Sequence, residues 1–144
     1  MLISKNFYNL FLGLLTKNGN ASASMKLLTK VFLMVSKKTG LSHKIIALKA
    51  FLSLNIFVEV KSVKRRKFKH LIPFPISLNR KLYLAAKWII SSALEDKRKV
   101  GFADKLSQEL IVLVTNKKLS KSYKKRRSTL SLAIKNKSNV HFRW

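Results

Sequence analysis

Two short runs of basic residues are the densest groups of chemically active side chains in this sequence. The first is KRRKFK at residues 64–69, and the second is KKRR at residues 124–127, with aromatic residues in or near both. Ammonium and guanidinium groups bind phosphate, and the planar guanidinium group can donate to two phosphate oxygens at once. We therefore predict that both runs contact the phosphate backbone of a nucleic acid.

Each run also has an ordinary structural explanation. The first could be a solvated turn whose lysines prevent strand edges from pairing, although four consecutive cations exceed that need. The second is expected at the start of a helix, where the helix dipole favours acidic side chains over basic ones. Cations placed against the dipole indicate an anion from outside the chain. We favour phosphate contact for both runs.

The net charge supports a polyanionic partner. The chain has 31 lysines and arginines but only five acidic residues, which gives a formal charge of +26 and a pI of 11.0. A small domain needs a net charge of only about 2 to 8 in magnitude to stay soluble. Repulsion within the chain weakens the folded state unless a dense polyanion neutralises it. The partner is therefore RNA, DNA or an anionic lipid surface.

The acidic residues and histidines do not form the groups that catalysis or metal binding requires. Glu95 and Asp96 are adjacent, so they diverge on a helix, and Asp104 and Glu109 are five positions apart. The histidines lack the paired spacing of metal ligands, and they are His43, His70 and His141. The chain has no cysteine, and its four glycines are isolated. We predict no enzymatic activity, no metal and no cofactor.

Apolar residues at three- and four-residue spacing predict six helices. The apolar positions of the first two are Phe7, Leu10, Phe11 and Leu14, then Leu28, Val31, Phe32 and Val35. Gly19 and Gly40 lie where these helices should stop. The first 17 residues also have the composition of a targeting peptide, but they lack arginine and continue into patterned sequence, so we interpret them as the first core helix.

Four further helices follow the same rule. The third begins after Ser42 and is expected to bury Ile45, Leu48 and Leu52. The apolar positions of the last three are Leu78, Leu82, Ala85 and Ile89, then Phe102, Leu106, Leu110 and Leu113, then Leu130, Ala133 and Ile134. A short tail, NVHFRW, follows the last helix.

Residues 57–76 predict a β-hairpin between the third and fourth helices. Both halves are rich in valine, isoleucine and phenylalanine, which favour strands. Pro73 and Pro75 exclude a central strand, because proline has no N–H to donate to a neighbouring strand. The connecting segment VKRRK, residues 63–67, contains no Gly, Asn or Asp to mark a tight turn.

Residues 1–144 are thus predicted to form one mainly α domain of about six helices. The hairpin occupies about 57–76, and a basic C-terminal helix and tail occupy about 120–144. No apolar run approaches the ~18 residues that span a bilayer, so we expect no membrane insertion. Two alternatives to a dedicated RNA-binding protein are a free basic protein that compacts nucleic acid and a membrane-surface protein anchored by the first helix.

Several short motifs resemble the small-subunit ribosomal protein S7 family in their order and spacing. They are KTG at 38–40, VEVKS at 58–62, HLIP at 70–73, AAKWI at 85–89, FADKLSQEL at 102–110, KKR at 124–126 and the ending HFRW. The resemblance extends from about residue 7 to residue 144. It implies a helical domain with an extended hairpin between the third and fourth helices.

The resemblance also implies a function. A member of this family binds the 3′ major domain of small-subunit rRNA and nucleates assembly of the subunit head. Its hairpin and C-terminal region lie near the exit site for tRNA and the mRNA path. Neighbouring head and platform ribosomal proteins are further expected partners.

Candidate RNA-binding residues combine the two basic runs with positions carried over from the family. In the hairpin and fourth helix they are Lys61, Lys64, Arg65, Arg66, Lys67, Lys69, Arg80 and Lys87. Towards the C-terminus they are Lys124, Lys125, Arg126, Arg127, His141 and Arg143. Arg66 and Lys67 replace the paired glycines of the family's hairpin tip, which marks a divergent member. Loss of glycines and enrichment in lysine, asparagine, isoleucine and phenylalanine indicate an AT-rich organelle genome, and the divergence from the family favours a mitochondrial ribosome over a plastid one.

Overall fold

The computed structural model describes the backbone of residues 2–65 and 67–143, and the side chains of residues 6–64 and 67–143. Six α-helices lie in these ranges: α1 (Leu2–Leu15), α2 (Ala21–Thr39), α3 (His43–Leu54), α4 (Leu78–Leu94), α5 (Phe102–Thr115) and α6 (Lys121–Lys135). Strands β1 (Val58–Arg65) and β2 (Phe68–Pro75) form an antiparallel hairpin between α3 and α4. The predicted mainly α fold with a hairpin in this position is confirmed.

The ends of α2 follow from residues that favour helix termini. Asn18 and Gly19 adopt positive φ angles of 51° and 73°, which turn the chain sharply after α1. The side chain of Asn20 then accepts a hydrogen bond of 3.1 Å from the N–H of Ala23 and so caps α2. Gly40, at φ 68°, ends the helix by donating its N–H to the carbonyl of Ser36.

One hydrophobic core unites the first five helices. Phe7 and Phe11 of α1 stack with ring centroids 5.8 Å apart, and Phe51 of α3 packs against Phe7. The predicted core positions of α2 are buried, as are Leu82, Ala85 and Ile89 of α4 and Leu106, Leu110 and Leu113 of α5, whereas Phe102 is half-buried against the core. The single apolar stripe on each of these helices was therefore sufficient to identify its buried face.

The prediction for α3 was wrong. Ile45, Leu48 and Leu52 are 44%, 39% and 59% exposed, whereas the opposite side of the helix is buried. The buried residues are Ile46, Ala47, Ala50, Phe51 and Leu54. This helix is apolar on both sides, so periodicity alone did not distinguish them. Two alanines on the buried side let α3 approach its neighbours closely, and Phe51 fills the space between them.

Two smaller expectations about buried residues were also wrong. Leu78 is exposed because it begins α4, and Ile134 is exposed because it lies in the last turn of α6. Only Ala133 is buried among the three apolar positions that were expected to anchor α6, and Leu130 is half-buried. Contacts of α6 with the rest of the fold therefore depend on polar groups more than the sequence indicates.

The C-terminal segment is a 3₁₀ helix, Lys137–Arg143, that packs along β2. The Asn139 side-chain amide donates to the carbonyl of Leu71 at 3.1 Å, and the Arg143 guanidinium donates to the carbonyl of Pro73 at 2.9 Å. These two carbonyls point away from β1. The backbone nitrogen of Pro73 faces the same way as its carbonyl, so no hydrogen bond to β1 is lost by having a proline there.

Adjacent residues on α3 provide a test of the corrected face. Phe51→Ala should lower the free energy of unfolding by about 3–5 kcal/mol, because it removes a buried aromatic ring and leaves a cavity. Leu52→Ala should change it by less than about 0.5 kcal/mol, because that side chain is largely in solvent. Urea unfolding of both variants measures the difference. A larger loss for Leu52→Ala would contradict this orientation of α3.

Candidate nucleic-acid interface

The hairpin presents lysines on an exposed surface. Strand register places Lys64 directly opposite Lys69, and both side chains are exposed, as are Lys61 and Lys67. Like charges directly opposite each other on a strand pair repel, because their side chains leave the sheet on the same face. This end of the hairpin is therefore arranged to favour a bound anion that lies across both strands.

An aromatic side chain lies beside these lysines in the sequence, on the opposite face of the hairpin from Lys64 and Lys69, because successive side chains of a strand alternate. Phe68, the first residue of β2, is 71% exposed. An exposed aromatic ring among cations is suited to stack on an unpaired base while the cations bind phosphate. The motif KRRKFK contained this signal, but the sequence did not reveal that the ring is exposed, and Phe68 was missing from the predicted site. Arg65 and Arg66 are predicted site residues whose side chains lie outside the described residues.

Arg80 connects the base of the hairpin to α4. Its Nε donates to Glu59 Oε2 at 2.9 Å and its Nη2 to Glu59 Oε1 at 2.6 Å. This hydrogen bonding holds the pKa of Glu59 below its ordinary value, against an opposing effect of partial burial, and the charges of Arg80, Lys61 and Lys87 lower it further. Arg80 thus has a structural partner on β1.

A tyrosine on α4 lies between two of the predicted cations. The Arg80 guanidinium lies 5.1 Å from the centroid of the Tyr83 ring, and Lys87 Nζ lies 6.0 Å from it. Both distances fall within the range of a cation–π attraction. Lys87 itself is exposed. The outer side of α4 therefore extends the positive surface from the base of the hairpin.

The second basic run is divided by helical geometry. Lys125 Nζ bonds Ser91 Oγ at 2.8 Å and Glu95 Oε1 at 2.6 Å, so it fastens α6 to α4. Arg126 Nε donates to the carbonyl of Asn55 at 2.9 Å, which ties α6 to the chain between α3 and β1. Lys124 and Arg127 are exposed. Two of these four cations therefore fix α6 in place, and two point to solvent.

An internal carboxylate occupies the start of α6. Glu109 Oε1 of α5 accepts hydrogen bonds from Ser120 Oγ at 2.7 Å, from the Ser122 N–H at 2.9 Å and from Ser122 Oγ at 2.6 Å. The Ser120 hydroxyl also caps the helix by accepting from the N–H of Tyr123. The helix dipole is thus balanced from within the fold, and the argument for an external anion at this position does not hold.

The two predicted C-terminal residues have different surroundings. Arg143 bonds the Pro73 carbonyl, and its guanidinium lies 5.7 Å from the Phe74 ring. His141 is exposed, and its ring packs 3.9 Å from that of Phe142, which stacks on His70 at 4.5 Å. Arg143 therefore holds the outer edge of β2, whereas His141 remains accessible.

The described residues contain no group of three or more histidine or acidic side chains that could hold a metal ion. Within the same part of the chain, no helix is both long and apolar enough to cross a membrane. The candidate interface that the geometry offers is the cationic surface formed by the described lysines of the hairpin, by the outer side of α4 and by the exposed cations of α6.

Comparison with known proteins identifies the family to which this chain belongs. A sequence profile of the family described as Ribosomal protein S7p/S5e matches residues 3–137. The chain belongs to this family. The match includes the hairpin and the second basic run, so the predicted family is confirmed, although the ending HFRW lies beyond the matched residues.

Individual members of the S7p/S5e family are similar at modest identity. A protein of Reclinomonas americana, small ribosomal subunit protein uS7m, is 31% identical over 134 residues, which are 93% of this chain and 82% of that protein. The uS7m protein of Drosophila melanogaster is 26% identical across 90% of this chain and 65% of its own length. The uS7 protein of Treponema denticola is 29% identical across 93% and 84%. The divergence expected from the altered hairpin tip agrees with these values.

The Arg80–Glu59 pair should make stability depend on pH. Because the pKa of Glu59 is lowered by folding, its stabilising effect is present above the unfolded value of about 4.3 and is lost as the pH falls through the folded value. At pH 7, Glu59→Gln should lower the free energy of unfolding by up to about 1 kcal/mol, as for other partly exposed ion pairs.

Unfolding of the wild type and of Glu59→Gln should be compared at pH 7 and at about pH 3. The difference between them should shrink at the lower pH, because the stabilisation that comes from the lowered pKa of Glu59 is progressively lost below the unfolded pKa. A difference of the same size at both values would show that the carboxylate charge is not what stabilises the hairpin base.

Proposed function

We propose that this protein is a structural constituent of the small ribosomal subunit and that it binds small-subunit rRNA without catalysing a reaction. The observation that carries it is the hairpin, where Lys64 and Lys69 lie opposite each other on one face and Phe68 is exposed on the other. Such a surface is unfavourable in the free protein and becomes favourable when phosphate groups neutralise it. Membership of a ribosomal protein family supports the choice of rRNA over other polyanions.

The predicted cations have two roles in this proposal. Exposed side chains contact phosphate directly, and these are Lys61, Lys64, Lys67, Lys69, Lys87, Lys124, Arg127 and His141. Cations with partners inside the fold keep the hairpin and α6 in position, and these are Arg80, Lys125, Arg126 and Arg143. Arg65 and Arg66 are assigned to the first group because of their place in the basic run.

We place the binding site in the 3′ major domain of the rRNA, where the protein helps to nucleate the subunit head. The hairpin then lies near the exit-site tRNA and the mRNA path, with head and platform proteins as neighbours. The support is the similarity of motif order to the family, together with a hairpin in the expected position. The organelle is the mitochondrion, which is supported by the names of the Reclinomonas and Drosophila relatives.

Removal of the hairpin lysines tests the proposed contact with phosphate. A variant with Lys64→Ala, Lys67→Ala and Lys69→Ala should bind a fragment of the 3′ major domain with a weaker salt dependence. Each lost phosphate contact lowers the slope of log K against log salt by about 0.7–0.9, so the slope should fall by about 2. Filter binding between about 50 and 200 mM salt measures it.

The matched control removes the same charge from α2 by Lys26→Ala, Lys30→Ala and Lys37→Ala. These side chains are exposed but have no proposed contact with RNA, so the slope should change by less than 1. Equal effects of the two variants would mean that only net charge matters. Equally tight binding to duplex DNA would instead support a protein that compacts nucleic acid.

Base stacking by Phe68 is a separate prediction. Phe68→Ala should weaken binding to the same fragment by about fivefold or more, since stacking of one base is worth about 1–3 kcal/mol. The salt slope should be unchanged because no charge is removed, and Phe68→Tyr should bind as the wild type does. A loss of affinity in Phe68→Tyr as large as that in Phe68→Ala would argue against stacking.

A further inference from the structure

The outer side of α3 is an apolar surface with no cover among the described residues. Ile45, Leu48 and Leu52 follow one another at three- and four-residue spacing, so they form a line about 10 Å long on one side of the helix. All three are exposed, and the opposite side of α3 is buried in the core. A helix that is apolar all round is ordinarily buried all round. This helix has a cover on one side only.

RNA is a poor cover for this apolar line. Its side chains are branched aliphatic groups, which have no ring to stack on a base and no donor for phosphate. Burial of such groups is favourable only against another apolar surface. The cationic surface for RNA lies on other elements, namely the hairpin, α4 and α6. A protein surface is therefore the chemically suitable partner.

The lysines beside the apolar line indicate which kind of protein could dock on it. Lys44 and Lys49 are exposed on α3 beside the apolar line. A second copy of this chain would bring the same lysines together at a two-fold interface, in addition to the repulsion between two bodies of formal charge +26. A partner with carboxylates around an apolar ridge would instead complement both the leucines and the lysines.

We propose that the outer side of α3 docks a neighbouring protein of the small subunit through an acidic, amphipathic segment of that protein. This inference rests on the proposed function, because the partner is another protein of the same ribosomal subunit. The partner's apolar side chains pack on Ile45, Leu48 and Leu52, and its carboxylates pair with Lys44 and Lys49. Because β1 begins four residues after α3 ends, the docked protein also supports the base of the RNA-binding hairpin.

The experiment places a photo-crosslinking amino acid at position 52 or, separately, at position 68, in the full chain expressed in cells and purified with small subunits. Position 68 should crosslink to RNA, in a product removed by nuclease. Position 52 should crosslink to a protein, in a product that resists nuclease. Mass spectrometry of the crosslinked peptide should identify an apolar segment flanked by aspartate or glutamate.

A variant measurement completes the test. Leu48→Asp with Leu52→Asp should lower the amount of that same partner in purified subunits at least tenfold, while rRNA binding is retained. The control Leu94→Asp introduces a carboxylate at a 65% exposed leucine on α4 and should leave the partner in place.

The possible outcomes separate the two proposals. Crosslinking of position 52 to RNA, to a second copy of this chain or to nothing overturns the docking surface, even if position 68 still reaches RNA. Retention of the partner by the double aspartate variant overturns it as well. Absence of the protein from small subunits, with no RNA crosslink from position 68, would overturn the proposed function together with the docking that rests on it.

Discussion

Repulsion among the cations is the constraint on which the rest of this structure depends. With 31 basic and five acidic residues, the chain cannot neutralise itself, so the position of each carboxylate has a large effect. Glu59 joins β1 to α4, Glu95 joins α4 to α6, and Glu109 joins α5 to the start of α6. Asp96 pairs with Arg98 in the loop before α5, where hydrogen bonds from that guanidinium lower its pKa to about 2. Three of the five acids thus lie at junctions between elements, whereas, among the described side chains, no carboxylate pairs with the exposed lysines of the hairpin.

The cations divide into those that bond to another element of the fold and those that do not. Arg80, Lys125, Arg126 and Arg143 each bond an atom of another element, either a carboxylate or a backbone carbonyl. The exposed cations without such partners include Lys61, Lys64, Lys67 and Lys69 of the hairpin, Lys87 of α4, and Lys124 and Arg127 of α6, and also lysines of α2 and α3 such as Lys30 and Lys44. A surface that repels itself can be stable only if the core and these junctions supply enough free energy, and it then gains most from a polyanion.

Much of the fold could be predicted because most helices carry one clear apolar stripe. The stripes of α1, α2, α4 and α5 identified their buried sides, and the two prolines excluded a central strand in the hairpin segment. The stripe of α3 was ambiguous because both sides are apolar, and only packing against α1 and α5 decides between them. The sequence predicted only a short tail after α6, because the hydrogen bonds that join this segment to β2 come from residues 68 and 70 positions apart in the chain.

The sequence predicted which basic runs form the candidate site, but not which of their side chains bond to the rest of the fold and which are exposed. The run KKRR gives no indication that Lys125 and Arg126 turn inward while Lys124 and Arg127 turn outward, because that depends on which side of α6 meets α4. Glu109 was dismissed as an unpaired acid, although it holds the N-terminus of α6 through three hydrogen bonds. The sequence shows Phe68 between two lysines, but the exposure of its ring depends on the register of the strands.

The absence of cysteine allows the central claim, that the hairpin binds small-subunit rRNA, to be tested directly. A single cysteine introduced by Lys67→Cys can carry an iron chelate that generates hydroxyl radicals within the assembled subunit, with Lys30→Cys on α2 as the comparison. We predict strong rRNA cleavage confined to one region of the 3′ major domain from position 67, and a weaker pattern elsewhere from position 30. Subunits that contain the labelled protein but show no cleavage from position 67 would contradict the claim.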